Sequence, residues 1–597
     1  MQTDIRVVLV NLISEDYLAR YQAPLAVNVL AAYFRSVCPD IMISTIDMQD
    51  VFEEQGNDKG TIGEIFAETV KSVVAEIVSA CSAGRIIVGL SVKWSTQEIA
   101  GQIINLVRQG ASNSQPLFVI GNIGSTHGYR ELLVQDDFAD IVAVVGEGEE
   151  SLAEIARIAS RTSGDFRDIL NYKDVVNTAI FYNKAIRVSE LRRMDLTSYP
   201  AMVDISPSDI YDREWDVYAV ETSRGCPWGN CTFCSVKKQF GASNQYDNHG
   251  FDWRWRAFPV AKVLGDIYSF ARQGVRRFDI KDSEFFGPVR TAEEFFETMN
   301  RVNELANGLI ALNEELRSAE NLIQNSTVSI THVSARVDTI YSANPLEKKK
   351  NIVRRNAYAL LKAAGLRRVY LGIESGSPSQ LKRYRKGVSV EENKQAIKIL
   401  RELGLEIEVG FIFFDYLSTL EELRQNILFI EETHIHETDS RILGSLRIQK
   451  GSPYEAIAEK LGILGGEDSG QLSYEAAFVN KEVAEIEALF SEWERATRKL
   501  AKIIPSHLRI ENYKMDFAFV KDIIACFEAD RKDWLYTAIE EHSATRSNFL
   551  KKIKQAFDSG LFGRRVSKLF LEYLDHANAQ NAILAKEVAH ARYDGGI

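Results

Sequence analysis

Three of the six cysteines in this 597-residue chain lie within nine positions, at Cys226, Cys231 and Cys234. Thiolates bind soft metals, and three of them on one loop can hold a single metal centre. A structural zinc site normally adds a fourth cysteine or a histidine, but the nearest histidine in the sequence is His249. Three ligands leave one coordination position open, where a substrate or cofactor can be activated. A zinc loop and chance crowding are the alternative interpretations.

The composition is that of a folded protein without a general affinity for nucleic acids. The chain is 45% hydrophobic and 26% charged, and its formal net charge is −12, whereas a surface that neutralises phosphates needs an excess of Lys and Arg. No apolar run approaches the roughly 20 residues of a membrane helix, and the N-terminus runs straight into a strand pattern, unlike a signal peptide. We therefore expect a cytoplasmic protein with no membrane and no nucleic-acid partner, in which clustered cysteines bind metal or react.

The cysteines must be positioned by the elements around them, and the first 165 residues alternate between strand and helix patterns. Buried strand patterns at 5–12 and 85–92 alternate with amphipathic helix patterns at 23–37 and 95–109. This alternation is typical of βαβ units and a mostly parallel sheet. It predicts an α/β, doubly wound, Rossmann-like domain over residues 1–165, and ligands of such sheets bind beyond the carboxyl ends of the strands.

A second alternating region covers residues 216–460, after a connector of residues 166–215. It contains six strand patterns, which suit a partial (β/α)6 barrel better than a closed barrel of eight: 215–223, 276–283, 328–336, 368–375, 406–414 and 441–449. The cysteines follow the first of these strands, at the carboxyl end where barrel active sites are built. Residues 461–597 have helical periodicity and predict a helical C-terminal domain.

The segment RGCPWGNCTFC at the start of a sixfold βα region resembles the radical S-adenosylmethionine (SAM) enzymes. In that family three cysteines bind a 4Fe–4S cluster, and SAM chelates the fourth iron. The resemblance implies that Cys226, Cys231 and Cys234 bind the cluster that cleaves SAM reductively. The common spacing is C-x3-C-x2-C, whereas this chain has C-x4-C-x2-C. We expect the loop to accommodate the extra residue because Gly229 can take a left-handed conformation.

Downstream motifs extend the resemblance to the strands that bind SAM. DIKDSEFF, SARVD, GIESGSPSQLKRYRKG and GFIFF resemble the family's segments at the second, third, fourth and fifth strands, respectively. The SAM contacts that the resemblance implies are Phe233, Asp282, Ser283, Arg336, Glu374, Ser375 and Ile412. Alternatively, Arg336 and Asp282 are ordinary ion-pair partners, Glu374 is a surface carboxylate, and Ile412 is buried core in either interpretation.

Four N-terminal segments, in this order before the cysteines, resemble the cobalamin-binding domain of the cobalamin-dependent radical SAM class. They are residues 21–34, 89–96, 120–133 and 144–152. The cobalamin contacts that this resemblance implies are Ser91, Val92, Gly121, Gly124, Ser125, Gly146, Gly148 and Glu149. The D-x-H-x-x-G motif that supplies a lower axial histidine in other cobalamin proteins is absent, and His127 is expected in a loop, facing solvent or hydrogen-bonded. Cobalamin is therefore expected in the base-off, His-off form.

A neighbouring class, the methylthiotransferases, also places a flavodoxin-like domain before a radical barrel. That class binds a second cluster through three N-terminal cysteines, whereas this half of the chain has only Cys38 and Cys81. We therefore expect no second cluster. Together with Cys526, these cysteines are expected to be small buried apolar residues.

The resemblance implies a C-methyltransferase that acts on an unactivated or sp2 carbon of a small-molecule or peptide natural product. An external donor of the flavodoxin or ferredoxin type would supply electrons. A rearrangement, cyclisation or oxidation with the same cofactors is the main alternative, and a non-catalytic cobalamin or iron–sulfur sensor is a third. Arg254 and Arg256 either hold an anionic substrate or are ion-paired. The motifs do not identify the substrate.

Overall fold

The computed structural model describes residues 5–488 with gaps, together with residue 491. The gaps are 15–24, 56–61, 83, 94, 112–115, 139, 163–174, 200–216, 240–254, 320–326, 436–441, 443 and 469–472. Expectations for Arg254, Cys526 and most of the region 461–597 fall outside the described residues. Within them, no helix has the length and apolar character that crossing a membrane requires.

The N-terminal region is a seven-stranded sheet with helices on both faces. Its strands are ordered β2-β1-β3-β4-β5-β6-β7; the first five are parallel, and β6 and β7 are antiparallel. The elements are β1 (Ile5–Asn11), α1 (Leu25–Val37), β2 (Met42–Asp47), α2 (Met48–Gln55), α3 (Ile62–Ser82), β3 (Arg85–Ser91), α4 (Gln97–Gly110), β4 (Leu117–Gly121), α5 (Asn122–Leu132), β5 (Val142–Val144), α6 (Glu149–Arg161), β6 (Thr178–Tyr182) and β7 (Ala185–Val188).

Each face of this sheet has its own apolar core. On one face the sheet packs against α1 and α6, through side chains such as Phe34 and Ile155. On the other face it packs against α3 and α4, through side chains such as Val73 and Ile103. Strands that are buried on both faces have nearly continuous apolar sequences. The strands of this sheet could therefore be recognised from the sequence. The predicted doubly wound domain is confirmed.

The middle region is a five-stranded, all-parallel sheet whose strands follow one another in chain order, β8-β11-β12-β13-β14. A short antiparallel ribbon, β9 with β10, precedes its first long helix, α8. The elements are β8 (Val217–Val220), β9 (Ser223–Gly225), α7 (Val236–Gln239), β10 (Trp255–Ala257), α8 (Val260–Arg272), β11 (Arg277–Ile280), α9 (Ala292–Ala319), β12 (Ser329–Arg336), α10 (Lys348–Ala363), β13 (Leu366–Glu374), α11 (Pro378–Arg383), α12 (Val390–Glu402), β14 (Glu406–Phe411) and α13 (Leu420–Thr433).

The sixth strand pattern does not form a sixth barrel strand in the described part of the chain. Only an isolated parallel bridge joins Phe414 to Ser445. Beyond it, β15 (Ile448–Gln449) forms an antiparallel pair with β17 (Ser473–Ala476). Gly444 and Leu446 still bond through their backbones to Phe413 and Phe414, whereas Ile448 and Gln449, at the end of the sixth pattern, are used in a separate small sheet.

The region after residue 460 begins with strands rather than helix. After α14 (Pro453–Lys460), β16 (Leu464–Asp468) and β17 complete a three-stranded antiparallel sheet with β15. The helical prediction is wrong for these two segments, because pairing with a partner strand overrides a weak local preference. Residues 481–488 are helical, as predicted.

One glycine fixes how closely α5 approaches the strand ends of the N-terminal sheet. A Cβ at Gly124 would lie 2.7 Å from the carbonyl oxygens of both Val92 and Lys93. The amide of Gly124 also donates to the carbonyl of Val92 at 2.9 Å. This close contact between two backbones requires a residue without a side chain.

Gly124→Ala should therefore lower the free energy of unfolding by about 1–3 kcal/mol, the usual cost of forced overpacking. Gly265→Ala is the matched control, because its Cβ on α8 would meet open space and alanine favours a helix. Chemical denaturation of both variants measures the difference. Equal stability of the two variants would contradict this account of α5.

Candidate active site

The cysteine loop, residues 226–234, is held from one side by the segment that follows α11. Trp228 donates from Nε1 to the carbonyl of Arg385 at 2.8 Å. The amide of Thr232 donates to the carbonyl of Tyr384 at 3.0 Å. These bonds fix both ends of the loop against the region just beyond β13.

The small C-terminal sheet region holds the same loop from the other side. The amide of Tyr454 donates to the carbonyl of Thr232 at 2.7 Å, and the amide of Ser235 donates to Gln449 at 3.0 Å. Within the loop, Gly229 has a φ of 56°. The prediction that this glycine takes a left-handed conformation is confirmed, and it explains how the loop accommodates its extra residue.

The three cysteines of the loop are free thiols. Their side chains are partly accessible although they lie deep in the protein. Burial raises the pKa of all three, and that of Cys234 to about 12. Because metal centres bind the thiolate form, nearby positive charge is needed to stabilise these buried thiolates.

Arg336 and Lys386 supply that charge. Both cations oppose the rise in the pKa of Cys231. Arg336 is fixed by a two-pronged ion pair with Asp338, each N–O distance being 3.0 Å, and its guanidinium lies 4.7 Å from the Trp228 ring centroid. Lys386 lies 2.9 Å from the carboxylate of Glu374. Among the described residues, no three His, Cys, Asp or Glu side chains are placed to hold one ion; three thiols beside two cations fit an anionic cluster, in which each cysteine takes its own iron.

Glu374 reaches this site because β13 ends irregularly. Its φ is 67°, and the register with β14 shifts between Gly372 and Glu374. A Cβ on Gly372 would lie 2.8 Å from Nζ of Lys386, and a Cβ on Gly410 would lie 2.7 Å from the Tyr370 hydroxyl. The glycines therefore leave the space that Glu374 and Lys386 occupy.

Phe233 and Ile412 belong to one apolar cluster, together with Leu446 and Tyr454. The amide of Ile412 donates to the carbonyl of Glu374 at 2.8 Å. The structure thus brings together Phe233, Arg336, Glu374 and Ile412 around the cysteine loop, as the sequence motifs suggested.

Asp282 and Ser375 face other partners. Asp282 is buried and accepts hydrogen bonds from the amides and hydroxyls of Thr222 and Ser223, and burial raises its pKa to about 6. The Ser375 hydroxyl lies 2.6 Å from Gln380 and 2.9 Å from Asn426. These side chains brace strand ends from within. The predicted contact Ser283, next to Asp282, is half-buried.

The motif assignments missed two ionisable residues in this region. Glu284 is 1% exposed, burial raises its pKa to about 8, and its carboxylate interacts electrostatically with Cys226. Lys386 is the second. Both lay inside quoted motifs, DIKDSEFF and RYRKG, but several charged residues competed there and only packing distinguishes them.

The predicted cobalamin contacts divide into two groups. Ser91, Gly121, Gly146 and Gly148 lie at the carboxyl ends of β3, β4 and β5, on one edge of the sheet. Gly146 has a φ of 89°, and a Cβ there would meet open space.

The other group is internal. Val92 and Gly124 join β3 to α5, and the buried Ser125 donates to the carbonyl of Val144 at 2.7 Å. Glu149 points away from the edge towards Arg224, at 2.7 Å. Polar residues that the sequence did not single out extend the edge: Lys93 donates to Asn11 at 2.8 Å.

Two further expectations are settled by position. His127 lies on α5, not in a loop, because the turn at Gly121 leads directly into the helix. Arg256 lies 3.0 Å from Glu147 and donates to the carbonyl of Met194 at 2.7 Å. The ion-paired interpretation of Arg256 is therefore the one observed.

Comparison with known proteins gives the class of the middle region. Residues 220–430 match the family model described as the Radical SAM superfamily. The chain contains a radical SAM domain.

The solved structures extend the likeness to the whole chain. The cobalamin-dependent SAM radical enzyme OxsB, with aqua-cobalamin and SAM bound, is 18% identical, with a TM-score of 0.77 over 99% of this chain and 84% of that chain. The radical SAM methyltransferase TsrM from Kitasatospora setae, with cobalamin and a [4Fe–4S] cluster bound, is 17% identical, with a TM-score of 0.53 over 78% and 80% of the two chains. At these identities the likeness shows a shared fold, and it confirms the predicted architecture.

Among curated proteins, 4′-phospho-dehydrooxetanocin synthase from Priestia megaterium is 26% identical over 357 residues. The match covers 58% of this chain and 43% of that relative. The chain thus spans less than half of the length of this relative.

The position of the cysteine loop depends on Gly387, which has a left-handed φ of 76°. A Cβ added at Gly387 would lie 2.4 Å from the Trp228 indole. Gly387→Ala should displace the indole and reduce the iron bound per chain after anaerobic reconstitution. Gly404→Ala is the matched control, because Gly404 also has a left-handed φ of 69° but no atom within 4 Å of the added Cβ. Similar iron contents in the two variants would contradict this role of Gly387.

Proposed function

We propose that this chain is a cobalamin-dependent radical SAM enzyme, most simply a C-methyltransferase that acts on a small-molecule or peptide natural product. One observation carries the proposal. The three-thiol loop lies beside Glu374, Arg336 and Lys386 at the carboxyl end of the barrel strands. The Rossmann-like edge of the N-terminal domain is bonded to the same region through Arg224.

Cys226, Cys231 and Cys234 would hold the cluster, which when bound would supply the electron for reductive cleavage of SAM. Arg336, with Lys386 behind it, presents positive charge to the carboxylate of SAM, and Glu374 presents negative charge to its ammonium or ribose. Glu284 is a better ammonium partner than Asp282, because its buried carboxylate accepts only a long bond of 3.3 Å from the amide of Phe286 among the described contacts.

The apolar cluster around Phe233 and Ile412 provides a surface for adenine. In the N-terminal domain, Ser91, Gly121, Gly146 and Gly148 would meet the corrinoid, while Val92, Gly124, Ser125 and Glu149 hold that edge in shape from within. Bound cobalamin would supply the methyl-transfer chemistry. The protein's contribution is to bring both cofactors to one cavity and to exclude water from it.

The overall reaction balances as follows. One SAM gives methionine and 5′-deoxyadenosine, whose new hydrogen comes from the substrate carbon. A second SAM gives S-adenosylhomocysteine, and its methyl group takes the place of that hydrogen. Two electrons from an external donor of the flavodoxin or ferredoxin type complete the balance.

A non-methylating reaction is the second candidate, and a specific observation favours it. The relative from Priestia megaterium is named a synthase and not a methyltransferase. Such a reaction would use the same residues and would consume SAM without forming S-adenosylhomocysteine.

The first test concerns the metal centre. Anaerobic reconstitution should give a brown protein with about four irons per chain, and alanine at Cys226, Cys231 or Cys234 should remove most of that iron. Alanine at the buried free cysteines Cys38 and Cys81 is the matched control and should leave iron content unchanged. Iron that persists without the three loop cysteines would overturn the proposal.

The second test concerns the reaction. The reconstituted protein, with cobalamin and an external reductant, is incubated with deuteromethyl-SAM and a small-molecule extract. We expect 5′-deoxyadenosine, S-adenosylhomocysteine and a product that carries the deuterated methyl group, all detected by mass spectrometry. Formation of 5′-deoxyadenosine without S-adenosylhomocysteine would select the non-methylating candidate, and formation of neither would reject both.

A further inference from the structure

Arg224 is a buried arginine that joins the two halves of the proposed site. It lies two residues before Cys226, is 4% exposed, and contacts three carboxylates. Glu147 and Glu149 come from the N-terminal domain, at 2.8 and 2.7 Å, and Glu221 comes from its own strand region, at 2.9 Å. Glu147 and Glu149 belong to the glycine turn, residues 145–149, which connects β5 to α6.

The surroundings of Arg224 make these contacts rigid. Across the β9–β10 ribbon, Arg224 is paired in register with Arg256, and both guanidiniums reach Glu147. Tyr199 donates from its hydroxyl to the same Glu149 oxygen at 2.8 Å. The aromatic rings of Tyr199 and Phe258 each lie 5.5 Å from the Arg224 guanidinium. The planar guanidinium of Arg224 is therefore held among three carboxylates and two aromatic rings, away from water.

Each end of Arg224 is tied to a different cofactor region. Its backbone continues through Gly225, with a φ of 90°, directly into the cysteine loop. Its side chain is bonded to the turn that contains Gly146 and Gly148, both at the sheet edge assigned to cobalamin. Arg256 also reaches Glu147, but its backbone does not continue into the cysteine loop, so of these two arginines Arg224 is the one that joins the turn directly to the loop.

We propose that Arg224 is a positioning residue that sets the placement of the glycine turn relative to the cysteine loop, so that SAM can serve both the cluster and the corrinoid. This inference rests on the proposed function. Arg224 does not touch either cofactor region with its own charge, because its donors are directed to the carboxylates. Its effect is on the coupling of two half-reactions rather than on either one alone.

The test uses the full chain with Arg224→Lys and Glu149→Gln. Lysine keeps the charge but cannot bridge two carboxylates with a planar fork, and glutamine removes one charge from the turn without touching the loop. Arg192→Gln is the matched control. It breaks the exposed 2.6 Å ion pair with Glu150, next to the same turn, and should behave as wild type.

Three readouts are compared for each variant: iron and corrinoid bound per chain, the ratio of S-adenosylhomocysteine to 5′-deoxyadenosine formed from SAM and reductant, and the magnetic interaction between the two metal centres by electron paramagnetic resonance. We expect bound iron and corrinoid to be retained. The product ratio should fall on the order of 10- to 100-fold, because a misplacement of about 1 Å between reacting groups costs around 100-fold in rate. The magnetic interaction should weaken in parallel.

A product ratio within about twofold of wild type for Arg224→Lys would overturn the proposal. Loss of iron and corrinoid in proportion to the loss of products would also overturn it, because Arg224 would then be a structural ion pair only. Hydrogen exchange of the chain without cofactors gives an independent readout: Arg224→Lys should raise exchange in both the glycine turn and the cysteine loop.

The two proposals fail in different ways. A wild-type chain that binds iron but no corrinoid overturns the proposed function. In that case hydrogen exchange of Arg224→Lys still tests the positioning role of Arg224. Faster exchange in the glycine turn without faster exchange in the cysteine loop would contradict that role.

Discussion

The candidate active site depends on keeping three buried thiols beside two fixed cations. Removing thiolates from water is costly, and burial raises the pKa of every cysteine in the loop. Arg336 and Lys386 offset this only because each is itself held, Arg336 by Asp338 and Lys386 by Glu374. The cations are also linked to each other, since Arg336 donates to the backbone carbonyl of Lys386 at 3.1 Å. Anchors, cations and thiols therefore form one electrostatic unit.

That unit requires backbone conformations that most residues avoid. Glu374 is held with a left-handed φ, a strained state for a residue with a side chain, at the point where β13 loses register with β14. Gly372 and Gly410 leave room for the charged groups, and Gly387 leaves room for Trp228. Gly372, Glu374 and Gly387 belong to the motif GIESGSPSQLKRYRKG, and Gly410 begins the motif GFIFF. These conformational requirements give a physical reason for the residues that made the two motifs recognisable.

Much of the fold followed from periodicity, because the parallel strands are buried on both faces and their apolar runs are long. The cysteine loop as a metal site also followed from residue type and spacing, whereas Glu374 was implied by the family resemblance. The sixth barrel strand and the strands β16 and β17 did not, because their conformation depends on which partner the backbone pairs with, and a short segment carries little record of that choice. Arg224 was missed for a similar reason: its partners Glu147 and Glu149 lie more than 70 residues earlier in the chain.

The number of hydrogen bonds that each side chain makes distinguishes residues that look equivalent in the sequence. Asp282 and Glu284 are two acidic residues in one motif, but Asp282 accepts from two amides and two hydroxyls, whereas the Glu284 carboxylate accepts one long bond from within the part of the chain that the structure describes. Buried polar groups are normally satisfied, so a satisfied carboxylate stabilises the fold, and a poorly satisfied one beside the thiols has capacity left for a ligand. The same reasoning divides the N-terminal edge, where Ser125 is committed to the carbonyl of Val144 while Gly146 faces open space. Incomplete pairing therefore marks Glu284, rather than Asp282, as the carboxylate that a ligand could still contact.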